Sequence, residues 1–139
     1  MPDPTPTVTR RLVAKTGGAH QGHPLFVYGT LRQGFRNHHL LGDSACLGRA
    51  KTKGRFAMYC SGVPYVVLSQ HVSQIVGEVY DVDELLLVDL DAHEGHPRWY
   101  LRVLVDVVLD TGTHLQAWLY SFGVARGRLV TSGDYADAR

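Results

Sequence analysis

Cysteine is scarce in this chain: Cys46 and Cys60 are the two among 139 residues. Two thiols do not make the disulfide framework on which small secreted domains depend. The expectation is a pair of buried, reduced cysteines in a cytoplasmic protein. An excess of charge of one sign is missing as well. Lys and Arg number 14 against 13 Asp and Glu, for a formal charge of +1, which argues against a strongly basic nucleic-acid binder. No apolar run approaches the roughly 20 residues that span a bilayer, and the first residues lack the apolar stretch of a secretory signal. No membrane partner is expected. Apolar residues, by contrast, are plentiful, and at 45% hydrophobic the chain is too rich for disorder. A protein of 15.4 kDa buries roughly two-thirds of its unfolded surface, so folding calls for neither a disulfide nor a structural metal.

Residues 1–22 stand apart from the rest. Pro2, Pro4, Pro6, Gly17, Gly18 and Gly22 are set among Thr and Arg, and Leu12-Val13-Ala14 is their one apolar patch. This composition predicts a flexible N-terminal tail, with a single domain over residues 23–139. Leu25-Phe26-Val27-Tyr28 reads as a short buried strand ending at Gly29, and Asn37 to Leu41 as one helical turn. Arg49, Lys51, Lys53 and Arg55 alternate with Ala50, Thr52, Gly54 and Phe56. That period of two predicts a strand with one basic face, either a groove for an anionic polymer or a solvated strand face. Val72 to Val82 reads as a strand interrupted by Gly77. Asp83 is a suitable N-cap for a helix from Glu84 to about His93, stopped by Gly95 and Pro97, with Leu86, Leu90 and His93 on one face. Leu101 to Leu109 alternates again, with Leu101, Val103, Val105, Val107 and Leu109 inward. Asp110 to Thr113 is a turn, and Leu115 to Phe122 returns as the partner strand of a hairpin. From Gly123 the chain is polar and rich in turns. The pattern is mostly strands with one good helix: α+β, a small mixed β-sheet or barrel flanked by short helices.

Three groups of residues bear on chemistry. Phe26-Val27-Tyr28-Gly29-Thr30-Leu31 is a strand breaking into a glycine turn, whose consecutive N–H groups suit an anion cradle as well as an ordinary strand-to-loop turn. It lacks the Gly-Lys-Ser/Thr ending of a nucleotide-binding loop. Glu94 falls at the helix end, beside Leu90 and Leu86 and near the negative pole. Partial burial and that pole both raise a carboxyl pKa towards the range of a proton shuttle; a solvated C-terminal Glu is the alternative. His93 and His96 flank it, but a spacing of three with Gly95 between, and no cluster to supply further ligands, does not build a zinc site. No metal and no cofactor are expected. Neither cysteine has a nearby histidine, and there is no Gly-x-Ser-x-Gly elbow.

Phe26-Val27-Tyr28-Gly29-Thr30-Leu31-Arg32-Gln33-Gly34 with Asn37-His38, taken in order with later blocks, resembles the gamma-glutamylcyclotransferase-like superfamily. The blocks are Gly77-Glu78-Val79-Tyr80-Asp81-Val82-Asp83, Leu90-Asp91-Ala92-His93-Glu94-Gly95-His96-Pro97-Arg98-Trp99-Tyr100, Ala117-Trp118-Leu119-Tyr120 and Ser132-Gly133-Asp134-Tyr135. The branch resembled is that of gamma-glutamylamine cyclotransferase and the plant avirulence-induced proteins, over about residues 24–135. The resemblance implies a small mixed barrel and an intramolecular acyl transfer on a small-molecule gamma-glutamyl substrate, releasing 5-oxoproline and a free amine. It assigns Glu94 as acid/base and the turn Tyr28, Gly29, Thr30 and Leu31 to the gamma-glutamyl moiety. Tyr100 and Tyr120 are pocket residues or core tyrosines. A gamma-glutamyl-binding module without turnover is the alternative function, and a small barrel holding nucleic acid on Arg49 to Arg55 is a third. The amine released and the oligomeric state are not specified by these residues.

Overall fold

The computed structural model describes residues 22–138; the predicted tail, apart from Gly22, lies outside them. Eight strands form one sheet: β1 (His23–Val27), β2 (Ala45–Thr52), β3 (Ala57–Ser61), β4 (Val63–Val67), β5 (Val76–Val82), β6 (Leu101–Leu109), β7 (His114–Ser121) and β8 (Arg128–Val130). The order is β1-β5-β2-β6-β7-β4-β3-β8. A parallel bridge from Leu25 to Trp118 joins β1 to β7, so β1, β5, β2, β6 and β7 close into a five-stranded mixed barrel. The remaining strands extend it, with β4 parallel to β7 at Val66 and Ser121. Among the described residues no helix is long and apolar enough to cross a membrane.

Burial explains the continuous apolar run of β1. Phe26 and Tyr28 enter the cluster that fills the barrel, with Val79, Val107, Ala117 and Leu119. Leu25 and Val27 point the other way, into a second cluster with Leu87, Leu90 and Tyr120. A strand covered on both faces has no polar face to show. The element covering its outer side is the helix α1 (Glu84–Glu94), begun by Asp83, whose side chain accepts from the Leu86 N–H, and ended by Gly95 in the left-handed conformation at φ 73°. That conformation costs glycine nothing and other residues a steric penalty.

Several expectations shift. The helix buries Leu87 and Leu90, so its stripe is centred one residue from the predicted Leu86 and runs on to Glu94. The basic strand begins at Ala45 and ends at Thr52, where the Thr52 hydroxyl donates to the Gly54 carbonyl 2.7 Å away and turns the chain. Gly77 lies inside β5 rather than breaking it. A side chain there would sit 2.2 Å from the Val27 carbonyl, so the glycine is what lets β1 lie so close. Leu101 is exposed, not inward. At that end β6 pairs with β7 alone, since β2 joins it only from Val107 to Leu109. Cys46 is likewise exposed and Cys60, on β3, half-buried, both free; Cys46 lies where β2 pairs with β5 alone, since β6 joins only from Ala50 onward. The polar chain after Gly123 contributes β8, which extends the sheet beside β3, and delivers Tyr135 to the barrel cluster.

Candidate active site

A cavity of about 140 Å³ opens where β1 leaves the barrel. Tyr28, Gly29, Thr30 and Leu31 form one side, Glu94, His93, Tyr100 and Tyr120 the other, and Val63, Pro64 and Asn37 complete it. All seven residues singled out from the sequence therefore line one space. They come from the end of β1, the last turn of α1, the segment after it, and β7.

The turn is locked from several directions. The Arg32 N–H donates to the Gly29 carbonyl, and the Asn37 N–H to the Thr30 carbonyl, each at 3.0 Å. Asn37 also donates from Nδ2 to the Thr30 hydroxyl at 2.9 Å. Among the described residues, the Thr30 and Leu31 N–H groups donate to no protein acceptor. Their protons are available to a ligand, and two adjacent free donors suit a carboxylate. Gly29 is required by packing: a side chain there would meet Pro64 Cγ at 2.6 Å.

Glu94 follows Leu87 and Leu90 along the helix and is half-buried, and no donor among the described residues reaches its carboxylate. Desolvation alone, which penalises the charged form, pushes its pKa from the ordinary 4.5 up to about 7. Three tyrosines surround the same space, and burial raises all three hydroxyls above their ordinary range, with the Glu94 charge adding to the effect. They stay protonated at neutral pH, but each proton is already engaged. Tyr28 donates to the Tyr120 carbonyl, Tyr100 to the Pro64 carbonyl at 3.2 Å, and Tyr120 to Asp91 Oδ1 at 2.7 Å. Their rings wall the cavity while their hydroxyls hold the frame. His93 lines the cavity, whereas His96 does not; its Nδ1 accepts from the Arg102 N–H at 3.0 Å. Among the described residues no three His, Cys, Asp or Glu side chains are grouped to hold a metal ion.

Residues 25–137 match the model of the family described as gamma-glutamyl cyclotransferase, AIG2-like. The chain belongs to that family. A Methanocaldococcus jannaschii protein provisionally named a gamma-glutamylcyclotransferase is 50% identical over 116 residues, 83% of this chain and 97% of that one. The bovine gamma-glutamylaminecyclotransferase is 39% identical over 98 residues, 63% of this chain and 57% of that protein. The crystal structure of an uncharacterised Pyrococcus horikoshii protein aligns with a TM-score of 0.70 at 30% identity, covering 84% of this chain and 92% of the other. That of a mouse AIG2-like protein aligns at 0.68 and 30% identity, covering 73% and 78%.

In this cyclotransferase-family cleft, sequence reasoning missed Val63 and Pro64. They sit on a strand, β4, that pairs with β3 through a turn at Gly62 with φ 79°. Gly62 followed by Val63-Pro64-Tyr65-Val66-Val67 was the available signal, and proline tolerates a strand end where no N–H is needed.

Proposed function

We propose that the cleft cyclises a gamma-glutamyl amine or gamma-glutamyl amino acid, releasing 5-oxoproline and a free amine. The observation that supports this most is one carboxyl with a pKa of about 7 facing, across a small cavity, a turn with two unengaged N–H groups. In the reading, the turn from Tyr28 to Leu31 holds the glutamyl end, and the rings of Tyr100 and Tyr120 keep the chain curled. The α-nitrogen then lies against its own γ-carbonyl. Glu94 takes one proton from the α-ammonium, and the freed lone pair attacks the γ-carbon. As the bond from that carbon to the original amide nitrogen breaks, Glu94 gives this proton to the departing nitrogen. The carboxylate so regenerated takes the second proton from the new ring nitrogen, leaving the neutral lactam N–H, and passes it to the released amine, which departs as an ammonium. The new bond is the lactam C–N bond, and water is neither consumed nor formed.

A pKa near neutrality serves both halves, because the carboxylate is basic enough to accept and its conjugate acid strong enough to donate. The ring closure is intramolecular, so holding the reacting atoms together supplies much of the remaining acceleration. A cytoplasmic location goes with this reading, since both cysteines are free thiols and thiols persist in reducing compartments.

The test is a panel of gamma-glutamyl compounds assayed for 5-oxoproline. Release from at least one, with no ¹⁸O label in the product formed in labelled water, is expected. Binding across the panel without release would instead identify a gamma-glutamyl-binding module.

A further inference from the structure

Two sequence blocks carry no part of this chemistry, Gly77 to Asp83 and Ser132 to Tyr135, yet the fold brings both to the back of the substrate turn. Arg32, the residue that closes the turn, is 5% exposed. Its Nη1 donates to Asp134 Oδ1 at 2.8 Å, across 102 positions of sequence. Its Nε lies 3.6 Å from Glu78 Oε2 and is buried without a hydrogen bond of its own. Glu78 Oε1 in turn accepts from the Gln33 N–H and from the Tyr80 hydroxyl, each at 2.9 Å.

The C-terminal partner is itself fixed. The Gly133 carbonyl, at a residue with φ 76°, accepts from the Val76 N–H at 2.9 Å. Tyr135 packs its ring 5.2 Å from that of Phe35, and the Arg32 guanidinium lies over the same Phe35 ring at 5.5 Å. Burial works against the Asp134 charge, but the Arg32 and Ala136 hydrogen bonds outweigh it and hold the carboxyl below its usual range. A buried guanidinium so held leaves the turn few alternatives, because loosening either carboxylate strands a charge in the interior.

We infer that Glu78 and Asp134 are positioning residues that act through Arg32 and the Gln33 N–H to hold the glutamyl-binding turn in its ligand-ready shape. Neither touches the reacting atoms. The inference rests on the proposed role of the turn, and it assigns the two carboxylates to binding rather than to proton transfer. Their loss therefore weakens substrate capture while leaving the Glu94 step, on a different element, intact.

The test uses the full chain, Glu78→Gln and Asp134→Asn. The readouts are kcat and KM on a gamma-glutamyl compound the parent cyclises, and the Kd for 5-oxoproline. Each variant is expected to raise KM and Kd by about tenfold, the scale of a lost charged hydrogen bond, with kcat changed less than about threefold and its pH midpoint unmoved. A merely structural role lowers the thermal midpoint but leaves KM and Kd of the folded fraction at parent values, and that result overturns the inference. Should Glu78→Gln fail to fold, Asp134→Asn carries the test, since that carboxylate is 24% exposed. Amide exchange on the parent gives a further check: the Gln33 N–H is expected among the protected amides, and rapid exchange there overturns the clamp. A parent that neither cyclises nor binds any gamma-glutamyl compound overturns the function and the clamp together, whereas turnover with unchanged KM in the variants overturns the clamp alone.

Discussion

Glu78 and Glu94 are the same side chain in opposite surroundings. Glu78 is 8% exposed and engaged: a backbone N–H and a tyrosine hydroxyl donate to its Oε1, and the Arg32 guanidinium lies 3.6 Å from its Oε2. Glu94 is half-buried at a helix end among tyrosines whose protons point elsewhere, and desolvation lifts its carboxyl to about 7. One carboxylate is held by partners, and the other, without them, is raised by desolvation. Environment, not residue type, divides such roles.

The largest expected effect follows from removing the unmet carboxyl. Glu94→Gln keeps size and hydrogen-bonding reach but cannot carry a proton, so kcat is expected to fall by about 10²–10⁴, towards the upper end because one group serves both transfers. Substrate Kd is expected to stay within a few-fold, since the glutamyl end is gripped by the turn. In the parent, kcat should rise with pH through a midpoint near 7 as Glu94 ionises, and this acid limb should be missing from the residual activity of the variant. Near-normal turnover by Glu94→Gln would refute the assignment, and His93, which lines the cavity, would be the next base to test.

The same Glu-to-Gln change should have opposite effects on stability at the two sites. Because the folded-state pKa of Glu94 is raised from 4.5 to about 7, the folded protein holds more protons than the unfolded chain between those values. Its contribution to stability therefore falls as pH rises through that window. At pH 8 the variant is expected to be more stable than the parent by up to about 3 kcal/mol, with the gain fading as pH falls towards 5. Glu78→Gln leaves the Arg32 charge half-answered in the interior and is expected to cost about 3–5 kcal/mol. Urea midpoints at pH 5.5 and 8 measure both. Equal signs at the two sites would break the contrast.

The two glutamates also differ in how far the sequence reveals them. The place of Glu94 was legible because its signals are local: the Asp83 cap, the leucine spacing and the Gly95 stop define the helix and set Glu94 in its last turn at the edge of the apolar stripe, while its acid/base role was implied by the family resemblance. Strand β1 and the β6–β7 hairpin were readable for the same reason. The roles of Glu78, Arg32 and Asp134 are set by contacts 46 and 102 positions apart, which no window of sequence displays. Strands β3, β4 and β8 are short; the apolar run of β4 after Gly62 was there to be read, but its pairing with β3 and β7, and that of β8 with β3, is set by the extension of the sheet.

Within the turn, the backbone should count for more than the side chains. Gly29→Val places atoms against Pro64 Cγ, where even a Cβ would lie at 2.6 Å. A rigid ring yields little, and overpacking of about 1–3 kcal/mol is expected to weaken 5-oxoproline binding by about tenfold to a hundredfold. Thr30→Ala removes the hydroxyl that accepts from Asn37 and leaves its N–H in place. The expected loss is about 1 kcal/mol, a few-fold in KM. If Thr30→Ala abolishes binding and Gly29→Val is tolerated, the turn does not grip its ligand through the backbone.

The smallest effect belongs to the N-terminal residues. Their composition offers no apolar periodicity, and the closed barrel, the clamp and the cavity are assembled from residues at or beyond His23. His23 is worth keeping, since its Nε2 lies 2.8 Å from Glu84 Oε1 at the start of α1. So is Gly22, where a side chain would collide with Asp81 at 1.9 Å. Deletion of residues 1–21 is therefore the clean experiment. Thermal midpoint, kcat and KM are expected to match the parent within error. A loss above about 1 kcal/mol, the scale at which a packed contact is missed, would place part of that segment on the domain. A changed KM at unchanged stability would place it at the cleft instead.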